Sequence, residues 1–307
     1  MALPVSALGR VTSAVVHEVD SRWLMAYAAS VGALDGVYLD TRRDGGIEGH
    51  PLFPVCVEWP AVLAARDVLE ASGLTRAEAR QGVHLSHDLR PERPVRPGDR
   101  LTTVATVAGI TTHRAGALVQ LDLVTTDAHD DVVARTRMGT LYRGVEVGGT
   151  DQEAPDVPDM ADVADAPTTM ADPPTAMADA HQIGAGAAHL YTECSRIWNP
   201  IHTDARTASA AGLPGIILHG TATLAMVTND VLSLAGAGPA AVRRLRARFG
   251  AVVALPSAVQ TRLRGRTDDA TTIWFDAVGP DGQPVVRHGT MLLEPPPTPP
   301  AEATARG

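Results

Sequence analysis

The chain predicts an α+β fold made of two copies of one unit, each a central helix followed by a mostly antiparallel sheet. Three observations predict it: two helix-like segments, a strand-rich run after each, and closing strands that match across the copies. The first helix is expected over 55–71, where Val57, Val62, Leu63, Val68 and Leu69 recur at helical spacing. Strands follow: a run opened by Asp99-Arg100-Leu101 and reaching Val107, a turn at Thr112-His113-Arg114, the alternating segment 118–124, a turn at 127–131, and a last run ending at Tyr142. The second helix is expected over 221–234, on Leu224, Val227, Val231 and Leu232. Its strands are 258–263, 271–278 and 285–293, the last two joined by the turn Gly279-Pro280-Asp281-Gly282. Arg137-Met138-Gly139-Thr140-Leu141 and Arg287-His288-Gly289-Thr290-Met291 align about 150 residues apart, as an internal duplication would leave them.

One apolar helix wrapped by a curved sheet is a hotdog fold, so two copies read as a double hotdog with the two sheets joined side by side. At 307 residues the chain has room for both units. Between them, nine acids and no Lys or Arg lie between Val145 and Ala180, with Met-Ala-Asp at Met160, Met170 and Met177 among repeated Pro, Ala and Thr. That composition cannot form a core and reads as a disordered linker. The expected division is a degenerate first repeat at 1–144, the linker at 145–182, the motif-bearing repeat at 183–294 and a Pro-rich tail at 295–307.

The linker accounts for the formal charge of −9, so the rest is near neutral and offers no basic face for nucleic acid. No segment approaches the roughly 20 apolar residues of a membrane span. The two cysteines, Cys56 and Cys194, fit a reduced protein, and the expected place is the cytoplasm. His84 and His87 lack an acidic third ligand, and Gly45-Gly46 and Gly148-Gly149 lack the strand-to-helix setting of a nucleotide loop, so neither a metal nor a cofactor is expected.

The chemistry concentrates in Trp198-Asn199-Pro200-Ile201-His202 and Gly215-Ile216-Ile217-Leu218-His219-Gly220. His202 has the ordinary pKa range of a base. Gly220 would open the central helix with its N–H free to meet an oxyanion, and Asn199 can position a loop or a water through its amide. Cys194 close to His202 raises a Cys/His nucleophile, against which stands the reading of a small buried residue.

The segment 191–223 resembles the signature of MaoC-like dehydratases and (R)-specific enoyl-CoA hydratases, and the duplicated layout resembles the eukaryote-type hydratase 2. Tyr27-Ala28-Ala29-Ser30-Val31-Gly32-Ala33 and His50-Pro51-Leu52-Phe53-Pro54-Val55 are similar to that family's degenerate first repeat. The resemblance implies a lyase that interconverts 3-hydroxyacyl and 2-enoyl thioesters of coenzyme A or a carrier protein. His202 and Asn199 match the family's Gly-Asp-x-Asn-Pro-x-His; its glycine and aspartate are replaced by Arg196 and Ile197. Glu193 and Asp204 are candidates for the missing acid, weighed against solvated surface positions, and Arg196 for a grip on a substrate anion, weighed against an exposed loop cation. The resemblance gives His219 a loop-orienting role. By the same resemblance the first repeat has lost its own site and accommodates the acyl chain, although Val55, Val57, Ala61 and Val62 also suit an ordinary core helix. Ile197 keeps two alternatives open: a reduced or non-catalytic acyl-thioester binding or assembly module, and a single-base isomerase or cyclase. The partner is an acyl thioester, with the protein a monomer or homodimer.

Overall fold

The protein was described from a computed structural model, which covers residues 2–79, 81–154 and 174–295. The first repeat runs β1 (Ala2–Pro4), β2 (Val15–Glu18), α1 (Ser21–Ser30), α2 (Gly36–Leu39), α3 (Pro54–Ala71), α4 (Arg76–Ala79), β3 (Gly82–Pro91), β4 (Arg100–His113), β5 (Gly116–Thr126), β6 (Val132–Arg143) and β7 (Glu146–Gly148). The second runs β8 (Ala176–Met177), β9 (His181–Ile183), α5 (Ala187–Ser195), α6 (Ala205–Ala210), α7 (Gly220–Ala235), β10 (Val242–Phe249), β11 (Ser257–Arg266), β12 (Thr272–Val278) and β13 (Pro284–Leu293). From α1 to β6 and from α5 to β13 the two repeats share an order of two helical segments, a long central helix and four strands, except that α4 of the first repeat is replaced by the 3-10 turn Pro239–Ala241 in the second.

Both sheets join in one eleven-stranded sheet of order β2-β4-β5-β6-β3-β10-β13-β12-β11-β8, with β9 on β11. The seam is the antiparallel pair β3–β10, in which Leu89 faces Leu245 and His87 faces Ala247. Sequence periodicity does not announce these two strands. β10 carries Arg243, Arg244, Arg246 and Arg248 amid its core positions, which breaks the alternation of apolar and polar residues. Arg244 is nonetheless buried, because Asp88 on β3 accepts from its Nε at 2.8 Å and Nη2 at 2.7 Å, a bidentate pair that makes the burial tolerable. The matched glycines of the closing strands show why the sequence repeats there. A Cβ on Gly139 would collide with Ser86 on β3, and one on Gly289 with the Phe275 ring on β12.

The helices α3 and α7 are largely buried, with Val55, Val57, Ala61, Val62, Ala65 and Leu69 on one and Leu224, Ala225, Val227, Val231 and Leu232 on the other. One apolar cluster runs through both repeats, from Tyr27, Phe53 and Leu89 to Tyr191, Leu224 and Phe275; a second lies under the first repeat. Burial on this scale, at about 25 cal/mol per Å² of apolar surface, dominates the folding free energy. Arg196 joins the repeats at the surface: as the left-handed cap of α5 it lays its guanidinium 3.8 Å from the ring centroid of Trp23 on α1.

The linker boundaries need correction. Within 145–182, β7 pairs in parallel with β1, and β8 and β9 add to β11. Ladder bonds use the main chain, so an acidic composition does not stop a segment from covering a sheet edge. Residues 155–173, and the tail from 296 on, lie outside the described residues. Among the described residues no helix is long and apolar enough to cross a membrane.

Candidate active site

A cavity of about 310 Å³ opens between the repeats, a size suited to a small-molecule site. One wall is the motif of the second repeat, with Ile197, Asn199, His202, His219 and Gly220. The other belongs to the first repeat, with Glu58 and Val62 on α3, His84 and His87 on β3, and Met138 on β6.

Pro200 starts a short 3-10 turn, Pro200–His202, which carries the imidazole back towards the start of α7. His202 Nδ1 lies 2.9 Å from the carbonyl oxygen of Ile217. A carbonyl only accepts, so Nδ1 carries the proton and Nε2 keeps its lone pair. Among the described residues Nε2 has no hydrogen-bond partner. Burial pushes the pKa of His202 down to about 4, so the ring is neutral at neutral pH. His219 stacks on it at 3.6 Å between centroids and an interplanar angle of 23°. The His219 Nε2–H donates to the Ile197 carbonyl at 3.3 Å, with the Thr192 hydroxyl at 3.4 Å, while its Nδ1 is buried and unpartnered. His219 thereby ties the start of α7 to the motif loop, and its ring covers one face of His202.

Gly220 is the first residue of α7, behind His219, whose side chain caps nothing. Among the described residues its N–H donates to no backbone carbonyl. A helix start with a free amide favours negative charge. A side chain at 220 would put Cβ 3.0 Å from the Phe249 ring, so glycine fits the close approach. Asn199 lines the same cavity, and its carbonyl accepts from the His202 amide at 3.0 Å.

The auxiliary candidates lie elsewhere. Glu193 is exposed on α5 and lines no part of the cavity. Asp204 is exposed and caps α6 by accepting from the Thr207 amide at 2.6 Å, the ordinary duty of an aspartate at a helix start. Arg196 is committed to Trp23. Burial raises the thiols of Cys56 and Cys194, which keeps them protonated and argues against a Cys/His nucleophile. Ile197 is 5% exposed and presents an apolar side chain to the cavity where the family motif has its acid.

Two buried polar residues of the first repeat line the same cavity. Glu58 is 3% exposed, and its Oε1 accepts from the Thr136 hydroxyl at 2.6 Å. Burial pushes its pKa up to about 7, against the smaller downward pull of Thr136. His87 is buried with neither ring nitrogen partnered, and burial pushes it down to about 4. Sequence reasoning passed over Glu58, because a Glu inside a helix looks like a solvated residue, and weighed His87 only as a metal ligand beside His84. The signal available was the helical phase: Glu58 adjoins Val57 and shares a face with Val62, on the apolar side of α3. Among the described residues no cluster of three or more His, Cys, Asp or Glu is placed to hold a metal ion.

The MaoC like domain family matches residues 165–271, and the FAS1-like, dehydratase domain region matches residues 6–136. No curated protein matches the sequence. Solved structures with the same fold include a MaoC-like dehydratase from Phytophthora capsici, 21% identical over 93% of this chain and 95% of that one, with a TM-score of 0.77. The full-length peroxisomal multifunctional enzyme type 2 of Drosophila melanogaster is 21% identical, with a TM-score of 0.71 over 92% of this chain and 48% of that one. A protein from Mycobacterium tuberculosis described as a double hotdog is 18% identical over 93% of this chain and 96% of that one, with a TM-score of 0.58. At these identities the likeness to solved structures carries the fold, and the family matches carry the kinship. The first repeat thus carries a FAS1-like dehydratase region and the second a MaoC-like domain, and the chain is a double hotdog.

Proposed function

We propose that the protein is a hydro-lyase that interconverts 3-hydroxyacyl and 2-enoyl thioesters carried on coenzyme A or an acyl carrier protein. The observation that carries this reading is the pairing of a neutral imidazole, fixed as the Nδ1–H tautomer by Ile217, with the free amide of Gly220 on one cavity wall. In the dehydration direction His202 Nε2 removes the α-proton and the Gly220 amide stabilises the enolate oxygen of the thioester. Asn199 positions the hydroxyl that leaves as water. A positioned base is worth about 10²–10⁴-fold and an oxyanion donor about 10²–10³-fold. Two unpaired thiols support a cytoplasmic setting.

The test is to incubate short and long 2-enoyl and 3-hydroxyacyl thioesters with the wild type and with His202→Ala, and to weigh the products. Gain or loss of one water by the wild type, with the variant slower by 100-fold or more, is expected. Equal rates would remove His202 as the base. Ile197 on the cavity wall favours a second reading, a single-base isomerase or cyclase. A product of unchanged mass would select it.

A further inference from the structure

We propose that Glu58, contributed by the first repeat, is the proton donor to the departing hydroxyl, in the role left open by Ile197 in the second. This inference rests on the hydro-lyase reading above and deepens it.

Glu58 and His202 line one cavity from opposite repeats, and the wall at Ile197 is apolar. Glu58 is the only carboxylic side chain among the described residues that line it. Its one resolved partner is the hydroxyl of Thr136, and among the described residues no Arg, Lys or His pairs with it. A buried carboxyl without a cation costs stability, and such groups cluster at functional sites. Burial raises its pKa to about 7, which keeps a large fraction protonated at neutral pH and leaves it able to give a proton away.

Among the described residues that line the cavity, the other titratable side chains are Arg66 and Arg143, which are cations, and four histidines. Cys56 on the same helix has a thiol pushed well up by burial. His84 and His87 on β3, like His202 and His219, are held below their ordinary pKa and are neutral. Arg66 lies over the Trp59 ring. On the elements packed against α3, Asp122 is paired with Arg137, Glu18 with Arg100, and Glu78 with Thr75. His17 on β2 stands edge-on to Trp23, and His113 on β4 accepts from the Ala115 amide.

His202 Nε2 takes the α-proton, and the electron pair passes through the enolate held by Gly220 to form the α,β double bond. The β-carbon–oxygen bond breaks, its electron pair leaving with oxygen, which takes the Glu58 proton and departs as water. The enzyme is left with an imidazolium and a carboxylate, and a proton passing from the first to the second restores both. Hydration runs the same path in reverse.

The test measures initial dehydration rates of a 3-hydroxyacyl thioester against pH for the wild type, Glu58→Gln and Thr136→Val. Gln keeps the volume and can still accept from Thr136. We expect Glu58→Gln to lose 100-fold or more in kcat with KM within about three-fold, and an unchanged Tm. The wild type should lose rate as pH rises through about 7, and Glu58→Gln should lack that limb. Removing the Thr136 hydroxyl takes away a bond that favours the charged form, so the limb of Thr136→Val should move upward by about half a pH unit or more. This arm keeps the proposal testable if Glu58→Gln fails to fold. An active wild type with Glu58→Gln at comparable kcat, or with the alkaline limb unmoved in both variants, overturns the role of Glu58 alone. A wild type silent on every thioester overturns the hydro-lyase reading and this role with it.

Discussion

The two central helices begin alike in the fold and oppositely in their chemistry. α7 opens on Gly220, whose amide is free; α3 opens on Pro54, which has no N–H at all. Counting from each first residue, the fifth position is Leu224 in α7 and Glu58 in α3. The histidines ahead of them differ in the same way. His202 leaves Nε2 unengaged beside the cavity, whereas His50 spends both nitrogens, accepting from the Leu52 amide at 3.0 Å and donating to Asn229 on α7 at 2.9 Å. Two copies of one scaffold thus hold complementary groups. In the proposed reaction the second repeat offers a base and an oxyanion donor, and the first offers a carboxyl and a bolt that fastens the halves together.

The contrast breaks most sharply at His202. His202→Ala should lower dehydration about 10²–10⁴-fold while the fold, followed by circular dichroism, stays intact. Next in size is a pair of substitutions that gives α7 the opening of α3. Gly220→Pro removes the amide but suits a first helical position; Gly220→Ala keeps the amide and adds the same crowding against Phe249. We expect the proline variant to be slower than the alanine variant by about 10²–10³-fold in kcat, a ratio that isolates the amide. Equal losses would assign the whole effect to Phe249.

A smaller effect is expected in stability against pH. Burial holds His50, His87 and His202 near 4, below the ordinary 6.5, so between these values the unfolded chain binds more protons than the folded one. Their contribution is complete above about pH 6.5 and is lost as pH falls towards 4, which should appear as a Tm lower by several degrees at pH 4.5 than at 7.5. Last, His50→Ala should cost about 1–3 kcal/mol by stranding the Leu52 amide and Asn229, with dehydration changed only a few-fold. A large loss of activity there would make the bolt part of the site.

Much of this architecture was legible in the sequence. The strands from 100 to 143 and from 257 to 293 alternate cleanly, and the closing segments at Arg137 and Arg287 announce the repeat. The joining strands were not legible, because β10 places four arginines where alternation would be sought, and only the β3 partner Asp88 explains a buried Arg244. His202, Asn199 and Gly220 line one cavity. Glu58 was hidden for the opposite reason: its meaning comes from a cavity assembled from segments more than 100 residues apart, which no local pattern encodes. Glu193 and Asp204 were the nearest acids in sequence, and nearness in sequence is a poor guide where a helix cap or an exposed helix face satisfies the carboxylate.

The division of labour between the repeats can be tested in one experiment. A 3-hydroxyacyl thioester is incubated in D₂O with the wild type, Glu58→Gln and His202→Ala, and deuterium at the α-carbon is followed beside enoyl formation. Glu58→Gln should still exchange the α-proton while its dehydration is lost, and His202→Ala should lose both. Exchange that survives in His202→Ala, or enoyl formation undiminished in Glu58→Gln, would contradict the account.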